Sequence, residues 1–285
     1  MPPSPCGSAL PSSKAAVVRL VVISDTHNRH AALTRYLRQS LPQNDMPSVL
    51  IHCGDFADRG CLDHVQSFCR WLASTDNEMS KSTPGLPSRY HDVVIVHGNH
   101  DIARPSAPPI DLRKEFDKCQ DEINRRQIPR RLYYLCNQNI QLLGMNIHGV
   151  TWEASIQNDY SSVKDSPDVL ISHVNPYIEA GSITDTDHTP FLDLRAWQGS
   201  RQLTQVATQQ RIPLVLSGHV HWGRGVLKIK SGTCFVNAST TKPGTKNKGV
   251  DDEHEVTAPV VIDFEVPSRS ILSLSCPSHH IDAFL

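Results

Sequence analysis

Ser48-Val49-Leu50-Ile51-His52-Cys53-Gly54-Asp55 runs an apolar stretch into a glycine and then a carboxylate. A short, nearly continuous apolar run bounded by turn residues predicts a strand covered on both faces. The glycine clears room for close approach by a neighbouring chain segment, and Asp55 is delivered at the strand's end. Four other stretches repeat the device: Val21-Val22-Ile23-Ser24-Asp25, Val93-Val94-Ile95-Val96-His97-Gly98-Asn99, Val169-Leu170-Ile171-Ser172-His173 and Leu214-Val215-Leu216-Ser217-Gly218-His219. Each ends in a side chain able to ligate a metal. Ligands of open α/β sheets gather beyond the carboxyl ends of the strands, so five such strands side by side surround one point with ligand sources.

Outward from these strands the pattern alternates. Residues His30 to Leu41 carry Leu33, Tyr36, Leu37 and Leu41 at helical spacing and stop at Pro42, which makes a β-α-β unit with the strand that ends at Asp55. Leu62, Val65, Cys69 and Leu72 form the apolar stripe of a second helix from about Cys61 to Ser74, and Leu112, Phe116, Cys119 and Ile123 that of a third within 108–128. Arg125, Arg126, Arg130 and Arg131 read as a solvated face beside that helix. Ile140 to Val150 reads as one strand, and Trp152 falls in a loop after it. Asn175 to Gly199 has the length of a binding loop or lid, and Ser200 is placed to cap a helix carrying Leu203, Val206 and Ala207. Short strands follow at 226–229, 234–237 and 260–266. Helix-linked strands first and closely spaced strands later predict an α/β fold, two packed sheets flanked by helices. The expected organisation is one domain over residues 17–266, a disordered Pro- and Ser-rich lead over 1–16 and a C-terminal tail over 267–285.

Of the 285 residues, 28 are Lys or Arg and 29 are Asp or Glu, a formal charge of -1 that gives no field for holding a nucleic-acid polymer. The longest apolar runs are too short for a transmembrane helix, so no membrane partner is expected. The N-terminal stretch lacks the basic start and apolar centre of a signal peptide. The eight cysteines include no CxxC pair and read as reduced thiols. A cytoplasmic protein is the expectation, with oligomeric state open.

The fifteen histidines stand out by position. Asp25-Thr26-His27 and His219-Val220-His221 put two ligands on one side of an extended chain, since residues i and i+2 point the same way. Gly98-Asn99-His100-Asp101 sets three polar residues after an apolar strand, where burial without purpose is costly. Together, Asp25-x-His27, Gly54-Asp55, Gly98-Asn99-His100-Asp101, His173 and Gly218-His219-x-His221 resemble the five motifs of the calcineurin-like metallophosphoesterase superfamily. The resemblance spans about residues 17 to 266. It implies a four-layer α/β/β/α sandwich of two mixed β-sheets and two divalent metal ions. By it, Asp25, His27 and His221 would hold one ion and Asn99, His173 and His219 the other, with Asp55 bridging. His219 to Gly225 and Phe235 to Ser239 resemble the small metallophosphoesterase-domain-containing proteins, which implies cyclic-nucleotide-type phosphodiesterase activity. Gly54-Asp55-x-x-Asp58-Arg59-Gly60 is similar instead to the phosphoprotein phosphatases, where the arginine grips phosphate.

Phosphate esters resist hydrolysis because water is a poor nucleophile and the phosphoryl oxygens repel anions. Two cations about 3.5 to 4 Å apart acidify a water between them and clamp those oxygens through in-line displacement. Ligands of His, Asp and Asn without Cys suit manganese, the first choice, or iron, zinc or cobalt. His100, left without a metal, is the expected acid for the leaving oxygen, with Asp101 orienting it. Asn99 and Arg59 are the expected phosphate contacts. The expected function is a phosphodiesterase for a small nucleotide or cyclic nucleotide. The alternatives are a phosphomonoesterase with Arg59 as phosphate clamp and a non-catalytic scaffold of the same fold.

Overall fold

Alternate residues of β1 (Val17–Ile23) face opposite ways, and both faces are buried: Val18, Leu20 and Val22 enter one apolar cluster, Val21 and Ile23 another. The computed structural model describes residues 17–75, 84–102, 109–183, 194–241, 256–277 and 282–284. The expected lead over 1–16 lies outside them, as does part of the loop expected at 175–199.

In the first sheet, β2 (Ser48–His52), β3 (Asp92–Ile95) and β4 (Arg131–Tyr134) extend parallel from β1 on one side. On the other side β11 (Val260–Glu265), β12 (Ser270–Pro277) and β13 (Asp282–Phe284) follow antiparallel, giving among the described residues seven strands in the order β13-β12-β11-β1-β2-β3-β4. The second sheet has six among the described residues: β5 (Gln138–Leu142), β6 (Met145–Val150), β7 (Val169–Ser172), β8 (Leu214–Ser217), β10 (Cys234–Asn237) and β9 (Gly225–Lys228), in that spatial order. The four inner ones are parallel and the two edge strands antiparallel.

The β1 face bearing Val18, Leu20 and Val22 is shared between the sheets. Together with residues of β2 and β3 it meets Ile147, Ile171, Leu214, Leu216 and Val236 of the second sheet in one cluster. The far face of the first sheet is covered by α1 (Thr34–Ser40), α2 (Leu62–Leu72) and α3 (Leu112–Arg125), through Leu37, Val65, Phe68 and Phe116. The far face of the second is covered by α4 (Trp152–Ile156) and α5 (Arg201–Gln209), through Ala154, Leu203, Val206 and Ala207. The layers therefore run α/β/β/α, as the resemblance implies. Ile23, His52 and Ile95 are register partners, so the residues that follow them leave the first sheet level with one another. A parallel bridge between Ser24 and Ser239 ties that edge to the end of β10.

Four local expectations change. The single strand expected over Ile140 to Val150 is a hairpin, because Leu143 (φ 51°) and Gly144 (φ 83°) form a two-residue left-handed turn between Leu142 and its partner Met145. Trp152 begins a short helix whose N-cap is the Thr151 hydroxyl, which accepts from the Ala154 N–H. The sheet continues into the expected tail, where Leu274 pairs with Ile262 and is buried. Arg130, expected in a solvated face, is 2% exposed and donates to the carbonyls of Leu72, Ser74, Leu86, Pro87 and Tyr90. A guanidinium can be buried when its donors meet this many carbonyls. Among the described residues the seven cysteines are free thiols, and no helix is long and apolar enough to cross a membrane.

Candidate active site

β1, β2, β3, β7 and β8 release Asp25–His27, Asp55, Asn99–His100, His173 and His219–His221 at one edge of the sandwich. Asp25, His27 and His221 each bring a donor atom within 4.8 Å of the others, and Asp55, His173 and His219 do the same. Asp55 stands between the groups: its Oδ2 lies 3.3 Å from His173 Nε2 and 3.9 Å from His27 Nε2. The Nε2 atoms of His27 and His221 face each other at 3.1 Å, and His221 Nε2 lies 3.3 Å from Asp25 Oδ1.

The backbone at this edge is unusual. Asp25, His27, Asp55 and His219 all have positive φ, at 56°, 42°, 58° and 69°. Such residues persist only where their surroundings fix them, and they concentrate at functional sites. The surroundings here are extensive. His52 accepts from the Gly54 N–H and shares a hydrogen bond with the Thr26 hydroxyl, while the Ser239 hydroxyl and the His219 N–H donate to Asp25. A Cβ on Gly98 would run into Asp55 Oδ1 and His173, so only glycine lets the β3 end approach this closely.

Burial opposes charge throughout the cluster. It would raise the Asp25 carboxyl, but the hydrogen bond with His221 and the nearby His173 hold it well below the ordinary range. Burial would likewise lower His173, yet Asp55 outweighs it and pushes the imidazole up to about 9. His219, with burial and His173 acting together, falls to about 4. The protein alone thus favours a proton on His173 beside Asp55, a proton that would give way if these residues held a cation.

His100 borders the cluster, its ring 4.8 Å from that of His27. Its Nδ1 lies 2.9 Å from Asp58 Oδ1, so Asp58 and not Asp101 orients it. Asp101 is fully buried and accepts from the N–H groups of Asp55, Ala57 and Gly98 at 2.7, 2.7 and 2.8 Å. It therefore clasps the turns after β2 and β3. The Arg59 side chain is 60% exposed and pairs with Asp58 at 3.6 Å.

Residues 18–223 match the family described as calcineurin-like phosphoesterase. The chain belongs to that family. Among curated relatives it is similar to human metallophosphoesterase domain-containing protein 1, 26% identical over 275 residues covering 88% of this chain and 72% of that protein. It is also similar to a UPF0046 protein of Caenorhabditis elegans, 26% identical over 234 residues covering 78% of this chain and 75% of that one. Among solved structures, TT1561 of Thermus thermophilus shares the fold with a TM-score of 0.52 at 12% identity, covering 90% of this chain and 98% of that one.

As a calcineurin-like phosphoesterase, the chain is a metal-dependent phosphoric ester hydrolase, and its strand ends fit divalent cations. Among the described residues Asn99 Oδ1 is buried without a hydrogen-bond partner, as an atom that serves a cation would be, and His173 Nε2 faces the Asp55 carboxylate without a well-formed hydrogen bond. His173 Nδ1 bonds the Cys53 carbonyl at 2.8 Å, which aims Nε2 into the cluster. Every residue expected from sequence as a ligand is at this edge. Asp58 was missed: it could have been suspected from the Asp58-Arg59-Gly60 spacing, but its approach to His100 depends on how two strand-end turns fold together.

Proposed function

We propose that this phosphoesterase is a phosphodiesterase for a small nucleotide or cyclic nucleotide. The observation that carries the choice is Arg59, the residue expected to clamp a phosphomonoester, which is mostly in water and paired with Asp58. A monoester dianion offers more charge and more terminal oxygens to an arginine fork than a diester does, so an arginine left in water and turned to Asp58 supports the diester reading.

Asp25, His27 and His221 would hold one cation and Asn99, His173 and His219 the other, with Asp55 shared. Bound cations supply a nucleophile at neutral pH and neutralise phosphoryl charge. The protein's own part is orientation and proton transfer. With Nδ1 held by Asp58, His100 presents Nε2 to the leaving oxygen and donates a proton there. Asp101 fixes the backbones that carry Asp55 and Asn99. Nitrogen and oxygen donors without thiolate suit manganese, the metal proposed first, as well as iron, zinc or cobalt, and the free thiols support a reducing, cytoplasmic setting.

The test is a panel of monoesters, linear diesters and 2′,3′- and 3′,5′-cyclic nucleotides, with manganese, zinc, iron, cobalt and magnesium supplied separately. The expected result is higher kcat/KM for diesters, greatest with manganese. Monoesters outrunning every diester would overturn the reading.

A further inference from the structure

A cavity of about 780 Å³ opens against His219 and His221. Trp152 and Val174 line it, and Ile156 and Trp222 stand in it half in water, 52% and 51% exposed. The Trp152 ring packs 5.1 Å from His219 and 5.7 Å from His173, so the apolar wall is continuous with the ligand groups. Nothing in the proposed chemistry uses these apolar side chains.

Both indoles are mounted on fixed backbone. Trp222 lies in the single turn His221–Gly223, where the Gly223 N–H and the Asn237 amide both donate to the Val220 carbonyl at 2.9 Å. The next residue after that turn, Arg224, is anchored on the carbonyls of Ser239 and Ala258. Trp152 begins α4, which Glu153 ties to His97 at 2.8 Å. Large apolar groups left exposed beside a reaction centre mark a surface that a ligand covers, and a flat indole rewards a flat partner.

We infer that this cavity is a subsite for a planar aromatic group carried by the ester, with Trp222 as the residue that sets the preference. The inference rests on the diester reading, since the group sits on an alcohol of the phosphate. A nucleobase and an aryl alcohol share this chemistry.

The test uses diesters with one common leaving group, p-nitrophenol, and a second alcohol that is methyl, cyclohexylmethyl, naphthylmethyl or 5′-thymidyl. The wild type should favour an aromatic ester over the methyl ester by about tenfold in kcat/KM, the scale of one stacking contact. Trp222→Ala should lose most of that ratio and Trp222→Phe should keep most of it. A thymidyl ester above the naphthylmethyl ester assigns a nucleobase, and the reverse order an aryl group. Rapid hydrolysis of all four with no aromatic preference, equal rates for naphthylmethyl and cyclohexylmethyl, or a ratio unmoved by Trp222→Ala would each overturn the subsite. If no diester is hydrolysed with any metal, the diester reading falls and binding decides the subsite. Tryptophan fluorescence quenched by thymidine 5′-phosphate but not by ribose 5-phosphate, and lost in Trp222→Phe, upholds it; equal responses overturn it.

Discussion

The flank of the site that carries His100 is hydrogen-bonded, while the flank that carries Trp222 is open and presents exposed apolar side chains among polar ones. On the first, Asp58 holds His100 at 2.9 Å and Arg59 lies in water beside it. On the second, Trp152, Ile156 and Trp222 form part of the lining of a cavity that reaches His219 and His221. Proton transfer needs a group fixed in angle and tautomer, whereas holding an alcohol needs area and shape. Substitutions on the two flanks should therefore separate, one set changing turnover and the other changing substrate choice.

The largest separation is expected at His100. His100→Ala should retain both metals and lower turnover by about 10² to 10⁴, with the smaller loss for nitrophenyl esters, whose leaving group needs little protonation. Equal losses for nitrophenyl and alkyl esters would remove the proton-donor role and with it half of the contrast.

Asp58 and Asp101 sharpen the hydrogen-bonded flank. Asp58→Ala should cost about 10- to 100-fold in turnover with an unchanged melting temperature. Asp101→Ala should instead lower the melting temperature, because three buried N–H groups lose their acceptor at about 1 to 3 kcal/mol each. If Asp58→Ala melts early and Asp101→Ala does not, the two roles have been assigned the wrong way round.

Arg59 should give the smallest effect. An exposed ion pair contributes little, so Arg59→Ala should leave the monoester-to-diester ratio of kcat/KM within about twofold. A selective loss on monoesters would restore the phosphate clamp and favour the phosphatase alternative.

The apolar strands and the ligand types were legible in the sequence, because a covered strand needs an almost unbroken apolar run and each run stopped at a polar residue. What the sequence withheld depends on how loops meet. His100 and Asp101 are adjacent in the chain, yet they turn to different partners, one to Asp58 and the other to the Asp55 turn. The positive φ of Asp25, His27 and His219 has only a weak compositional signal, since none is glycine although Asp and His enter that region more readily than most residues. Arg130 reads like its exposed neighbours, yet the carbonyls of Leu72, Leu86 and Tyr90 close around it. Trp152 and Trp222 are 70 residues apart (222 − 152) and meet one cavity only through the order of β6, β7 and β8.

The most direct test of the account is the number of metal ions that Asp55 holds together. Wild type and Asp55→Ala, reconstituted with manganese and freed of excess, should be compared by elemental analysis and by diester hydrolysis. Two ions per chain in the wild type, with one or fewer and no activity in Asp55→Ala, is the predicted result. A wild-type protein that never holds more than one ion, or that stays fully active in chelator, would contradict it.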